Sequence, residues 1–146
     1  MADIELMARV TDERQITILT PPAHGDQITH PAGEAITAGA PIRLDTATGR
    51  WTNANGTAAA EARATHVAWA TVVAGEPLTG VRGCLVDGYD LSALDYDDPV
   101  YLSDTDGRLS DTAGTVSVLV GRVVSAHAQL LGVEPDKVLD VGSFGH

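Results

Sequence analysis

The chain repeats itself. Pro41-Ile42-Arg43-Leu44-Asp45-Thr46-Ala47-Thr48-Gly49-Arg50-Trp51 aligns without a gap on Pro99-Val100-Tyr101-Leu102-Ser103-Asp104-Thr105-Asp106-Gly107-Arg108-Leu109, an offset of 58 residues. The same offset pairs Gly56-Thr57 with Gly114-Thr115. The second copy then shortens, and residues 67–73 match residues 118–124 at an offset of 51. Two copies are too few for a solenoid, so they are expected to fold together as halves of one domain. Each copy has a plain physical content. A proline opens a strand at an edge, where its missing N–H costs nothing. A short strand leads to an Asp/Thr/Gly turn whose glycine supplies a positive φ at the reversal. A second short strand, a Gly-Thr turn and a Val-rich strand follow.

The rest of the chain carries the same kind of signal. Residues 15–20 alternate with period two and are rich in β-branched side chains, as a half-buried strand requires. Further strands are expected at 35–45, 49–53, 66–74, 78–87, 99–103, 107–111, 115–125 and 137–142, separated by Gly, Asp, Asn and Pro clusters. Residues 24–33 read as a polar loop. Helical signal is thin, with a turn or two at 57–63 and 91–94 and a weak helix near 126–131. The expected fold is all-β: a small β-sandwich or a partly open, β-tulip-like barrel. Residues 1–33 are read as an extended N-terminal arm plus first strand. Residues 34–146 form the β-domain, with repeat units at about 35–74 and 93–125.

Composition narrows the partners. At 146 residues this is one domain, and with 4% aromatic residues its core must be mostly Val, Leu, Ile and Ala. The net charge of −11 repels phosphate, which argues against direct binding of nucleic acid and favours a more basic protein surface. No apolar run approaches the ~20 residues that span a bilayer, so no membrane partner is expected. The start, Met1-Ala2-Asp3-Ile4-Glu5, lacks a secretory signal, so folding in a cytoplasm is expected. The single cysteine, Cys84, lies in an apolar run and reads as a small buried hydrophobe.

Catalytic and metal chemistry find little support. Asp104-Thr105-Asp106-Gly107 begins like a calcium loop, but it lacks the later ligands, and its repeat partner Thr46-Ala47-Thr48-Gly49 carries no carboxylate. A hairpin turn is expected there. His24, Asp26 and His30 fit no standard zinc spacing, and His66 and His127 read as structural imidazoles. No serine sits in a Gly-x-Ser-x-Gly elbow, and no glycine-rich phosphate loop occurs. The expectation is a non-enzyme without catalytic residues, metal or cofactor. Trp69 is expected in the core, and Trp51 is divided evenly between core and interface. Tyr89, Tyr96 and Tyr101, among acidic neighbours, are read as a patch for subunit or partner contact.

Three stretches point to a family. Gly33-Glu34-Ala35-Ile36-Thr37-Ala38-Gly39-Ala40-Pro41-Ile42-Arg43-Leu44 resembles the opening of a family of tailed-phage capsid decoration proteins. So do Asp87-Gly88-Tyr89-Asp90-Leu91-Ser92 with the following Asp98-Pro99-Val100-Tyr101-Leu102-Ser103-Asp104, and the run from Gly107 to Thr115 with Val120-Gly121-Arg122-Val123. The resemblance covers residues 33–142. It implies a β-protein on the outer face of the virion capsid, present in the host cytoplasm during assembly, commonly a homotrimer, that stabilises the major capsid protein lattice. It also implies lattice contact by an N-terminal arm, here through Ile4, Leu6, Val10, Ile16 and Ile18, by β-augmentation. On that reading residues 1–14 are dispensable for folding. Two alternatives stand beside it. One is a carbohydrate-binding β-sandwich with Trp51 and the tyrosines as a stacking platform. The other is a metal-assisted small β-barrel hydrolase using the acidic run 95–106.

Overall fold

A computed structural model describes residues 3–20, 26–125 and 137–145. The fold is all-β, with two antiparallel sheets that are not closed into a barrel. In chain order the elements are α1 (Ala8–Glu13), β1 (Thr17–Ile18), β2 (Gln27–Pro31), β3 (Pro41–Leu44), β4 (Trp51–Asn53), β5 (His66–Ala68), β6 (Pro77–Val81), β7 (Cys84–Asp87), β8 (Pro99–Leu102), β9 (Leu109–Ser110), β10 (Leu119–Ser125) and β11 (Lys137–Gly145). One sheet runs β1-β7-β11-β10-β8-β9 and the other β2-β6-β5-β3-β4.

The repeat is built into both sheets. The order β6-β5-β3-β4 in one matches β11-β10-β8-β9 in the other. Leu44 faces Trp51 and Arg43 faces Thr52; 58 residues later Leu102 faces Leu109 and Tyr101 faces Ser110. Both reversals turn on a left-handed glycine, Gly49 at φ 68° and Gly107 at φ 70°. The third strand corrects the alignment. Ile42 pairs with His66 and Val100 with Gly121, so the structural offset there is 55 rather than 51. A register shift between Leu119 and Gly121 in β10 changes that offset by one further residue. The two units also interlock: Gly56 N–H donates to the Ser103 carbonyl at 2.7 Å, and Val116 N–H donates to the Gly56 carbonyl at 2.7 Å.

Other expectations shift for local reasons. The run 78–87 is two strands in two sheets, because Gly83 at φ 64° turns the chain from β6 into β7. Residues 66–74 hold a three-residue strand; beyond it the chain changes partners, Ala70 bridging Gln15 and Val72 bridging Ile36. The stretch 35–45 likewise reduces to β3 plus the Ile36 bridge. Residues 57–63 and 91–94 form turns and bends rather than helices, and 126–131 lies outside the described residues. The loop read at 24–33 contains β2, an edge strand with exposure alternating along Gln27–Pro31.

The N-terminal segment is not an arm standing off the body. α1 ends at Arg14 in a left-handed C-cap, and residues 3–18 run along both sheets. Ile4 N–H donates to Leu109 O at 2.9 Å, Met7 N–H to Gly88 O at 2.8 Å and Ile16 N–H to Trp69 O at 3.0 Å. Ile4, Val10 and Ile16 are buried in the larger core with Val67, Val86, Leu102 and Val123. A second, smaller core lies against the five-stranded sheet: Ala32, Ile36, Ala40, Ile42, Trp51, Ala68, Val72 and Leu78.

The two turn glycines separate strain from collision. Gly49→Ala should cost about 1 kcal/mol, the left-handed penalty alone, because a Cβ there meets nothing within 4 Å. Gly107→Ala should cost more, because its Cβ would lie 2.7 Å from Asn53 Oδ1, on a side chain that also donates to Ala35 O. Urea unfolding of the two variants measures the difference.

Candidate functional site

The residues proposed for contact scatter. Ile4, Val10 and Ile16 fill the chain's own core, so these side chains do not project as anchors. Leu6 and Ile18 are half-buried and pack against the same cluster. Trp51 is 1% exposed, its indole N–H donating to Leu78 O at 3.0 Å, so it is neither an interface residue nor a stacking platform. Tyr89 is buried too; its hydroxyl donates to Gly39 O at 2.6 Å, and burial pushes its phenol far above the ordinary range. Tyr101 is half-buried on β8. Tyr96 is 50% exposed, with the Lys137 ammonium 5.6 Å from its ring centroid.

Trp69, expected in the core, is instead 38% exposed. It lies just past β5, and its N–H donates to Thr79 O at 3.0 Å. Thr79 on β6 is in register with Thr29 on β2, and their hydroxyls are 2.7 Å apart. Trp69, Thr79 and Thr29 therefore form one uncharged cross-strand row. The row ends at β2, which forms the edge of its sheet. Val73, four residues on from Trp69, is also exposed. Among the described residues β2 pairs along its length with β6 alone, so the row of Trp69, Thr79 and Thr29 runs to a sheet edge. Sequence reasoning missed it because 24–33 looked like a loop. The alternation in Gln27-Ile28-Thr29-His30, ending at Pro31, was the available signal for an edge strand.

The acidic turn does structural work. Asp104 accepts from Thr115 N–H at 2.8 Å and from Thr115 Oγ1 at 2.9 Å, and Asp106 Oδ1 accepts from Asn55 Nδ2 at 3.1 Å. These bonds knit the second hairpin to the loops after β4 and β9. Asp26 pairs with Arg82 at 3.1 Å, while His24 and His127 lie outside the described residues. Among the described residues no group of three His, Cys, Asp or Glu side chains is placed to share a metal ion. A cavity of about 160 Å³ under the N-terminal segment is lined by Ile4, Leu6, Gly39, Tyr89 and Leu109. At its wall, Arg108 Nη2 donates to Ile4 O at 3.1 Å and meets Glu5 at 3.0 Å. Cys84 is buried, and desolvation, with Asp140 and Asp26 adding to it, pushes its thiol up to about 11. At neutral pH it is a packing group rather than a nucleophile.

Comparison of the chain with protein-family models, curated proteins and solved structures returns no match.

The two tryptophans should behave oppositely. Trp51→Phe leaves the buried Leu78 carbonyl without its donor and should cost about 1–3 kcal/mol. Trp69→Ala should stay within ~0.5 kcal/mol of the parent. Chemical denaturation of both variants checks this.

Proposed function

We propose that the chain is a structural, non-enzymatic protein of the tailed-phage head. In this reading it docks as a homotrimer on the outer face of the capsid and stabilises the major capsid protein lattice. The observation that carries the reading is the pair of matched hairpins. The turn-and-strand pattern that resembles the decoration proteins coincides with β3–β4 and β8–β9, held in the same register. Two features support it. The chain's acidity suits a more basic lattice. Trp69, Thr79 and Thr29 lie at an open strand edge that an extended segment of a partner could join. Lattice contact moves accordingly from the N-terminal segment to this row.

A second reading keeps one specific observation. Trp69 beside two threonine hydroxyls is also the chemistry that stacks on a sugar ring, so carbohydrate binding is the alternative.

Co-sedimentation with empty heads assembled from the major capsid protein encoded beside this chain tests the proposal. Parent protein should pellet with the heads. Trp69→Ala should weaken attachment by at least about tenfold, as loss of an interface aromatic does, while remaining folded. Removing residues 1–14 should unfold the protein instead, because it takes Ile4 and Val10 out of the core. Undiminished attachment of Trp69→Ala would reject the docking face, and binding on a glycan array would favour the second reading. Light scattering of the parent reads the trimer directly.

A further inference from the structure

The smaller core contains a stack of rings that also fastens the curl of its sheet. Trp51 on β4 lies between His30 on β2, 5.2 Å away between ring centroids, and His66 on β5, 5.3 Å away. The backbone of Trp51 makes a parallel bridge with Ala32, just past β2, and its carbonyl accepts Gly33 N–H at 2.8 Å. Strands β2 and β4 stand at opposite edges of the five-stranded sheet, so this seam draws one edge toward the other. The seam depends on where the Trp51 ring sits.

His66 is placed to sense acid. It is 3% exposed, its Nδ1 is 2.8 Å from Thr65 Oγ1, and its Nε2 is buried with no partner among the described residues. With Nδ1–H donating to the threonine, Nε2 holds only a lone pair, which burial tolerates. A proton there would create a buried cationic donor with no acceptor. The charges that bear on it are Arg82 after β6, Asp26 before β2 and His30 on β2. Arg82 and Asp26 are paired with each other at 3.1 Å, and His30 packs against the Trp51 ring, 5.2 Å away between centroids. The remaining neighbours are uncharged: Ile42 from β3, Trp51 from β4 and Gly80 from β6. The indole offers partial compensation only, because the rings are tilted at 59° rather than stacked face to face. The β6 backbone lies close against His66, since a Cβ on Gly80 would sit 2.9 Å from His66 Cβ and 3.1 Å from the Trp51 ring.

We propose that the His30–Trp51–His66 stack is an acid-operated latch: a proton on His66 expels the ring from its place beside Trp51 and opens the Ala32–Trp51 seam, while the six-stranded sheet stays paired. The electrostatics agree with the geometry. Desolvation first, and Arg82 second, lower His66 from 6.5 to about 4. A lowered histidine favours the closed form fully above 6.5, and that preference is lost as pH falls from 6.5 through 4. Linkage between those two values raises the opening constant about 20-fold at pH 5 relative to pH 7, and about 120-fold at pH 4.

The test uses the full chain carrying Trp69→Phe, which leaves Trp51 as the sole tryptophan, in dilute solution from pH 7 to pH 4. Trp51 emission should shift to the red, and the Gly33 amide should lose exchange protection by about 20-fold at pH 5 relative to pH 7. The Val123 amide in the six-stranded sheet should keep its protection. His66→Gln in the same background should remove the acid dependence, since carboxylate protonation is common to both proteins. Should that variant not fold, the His66 ring titrated by NMR in the parent provides the second reading, with an apparent pKa well below 6.5 expected. A red shift of equal size and midpoint in His66→Gln, simultaneous loss of both sheets, or ordinary titration of His66 would each overturn the latch.

Discussion

The backbone bonds that residues 4–16 make to both sheets are what the rest of the structure depends on. A strand edge left unpaired exposes N–H and C=O groups, and short strands provide few bonds with which to compensate. Here the N-terminal segment covers β9 through Asp3, Ile4 and Ser110, touches the β7–β8 connection at Gly88, and reaches the end of β5 at Trp69. Each contact lies far away in sequence, so the segment adds to the Gly56–Ser103 and Val116–Gly56 bonds that already join the two repeat units. The side chains follow the backbone. With Ile4, Val10 and Ile16 in place, Val67 and Val81 of one sheet and Val86, Val123 and Leu139 of the other share one core. A segment that looks like an appendage is therefore part of the interior.

Within that frame the repeat explains both the likeness and the difference of the two halves. Equal hairpin registers and paired turn glycines make β3–β4 and β8–β9 close copies. Among the positions where the copies differ, one is Trp51 opposite Leu44, where the second copy has Leu109 opposite Leu102. A leucine fits into the shared core. An indole does not, and its N–H needs an acceptor that Leu78 provides. The five-stranded sheet curls around the larger side chain and acquires its own small core of Ala32, Ile36, Ile42 and Leu78. Burying Trp51 there is also what seats His66 and His30 against it, so one substitution between the copies creates the second core and its pair of imidazoles together.

The fold class and the paired hairpins were legible in the sequence because turn chemistry is local. A Gly-Arg pair after Asp and Thr specifies a reversal with little help from elsewhere, and Gly49 and Gly107 take the positive φ that this reading requires. Sheet membership was not legible. Arg82-Gly83 interrupts the apolar run at 78–87, but a glycine there reads equally as a bulge within one strand, so the change of sheet goes unmarked. The N-terminal reading failed for a related reason. Ile4, Val10 and Ile16 have no common local period, and only their distant partners bring them inside. β2 went unread because its alternation carries a single large apolar residue, Ile28. The contact surface was harder still, because exposure belongs to the assembled sheets rather than to any stretch of sequence.

The scarcity of aromatic residues gives that last point its weight. Trp51, Tyr89 and Phe144 are buried, so half of the chain's six aromatic rings lie inside. Tyr101 is half covered on β8, and the Lys137 ammonium sits over Tyr96. That leaves Trp69 as the large ring that combines exposure with a strand edge nearby, on a row whose other members, Thr79 and Thr29, are uncharged. A chain of net charge −11 resists close approach by another acidic surface except where its own charge is absent. The row meets that condition and adds an open β2 edge. On the proposed function, the repeat builds the body and the docking chemistry rests on a tryptophan for which the second copy has no aromatic equivalent.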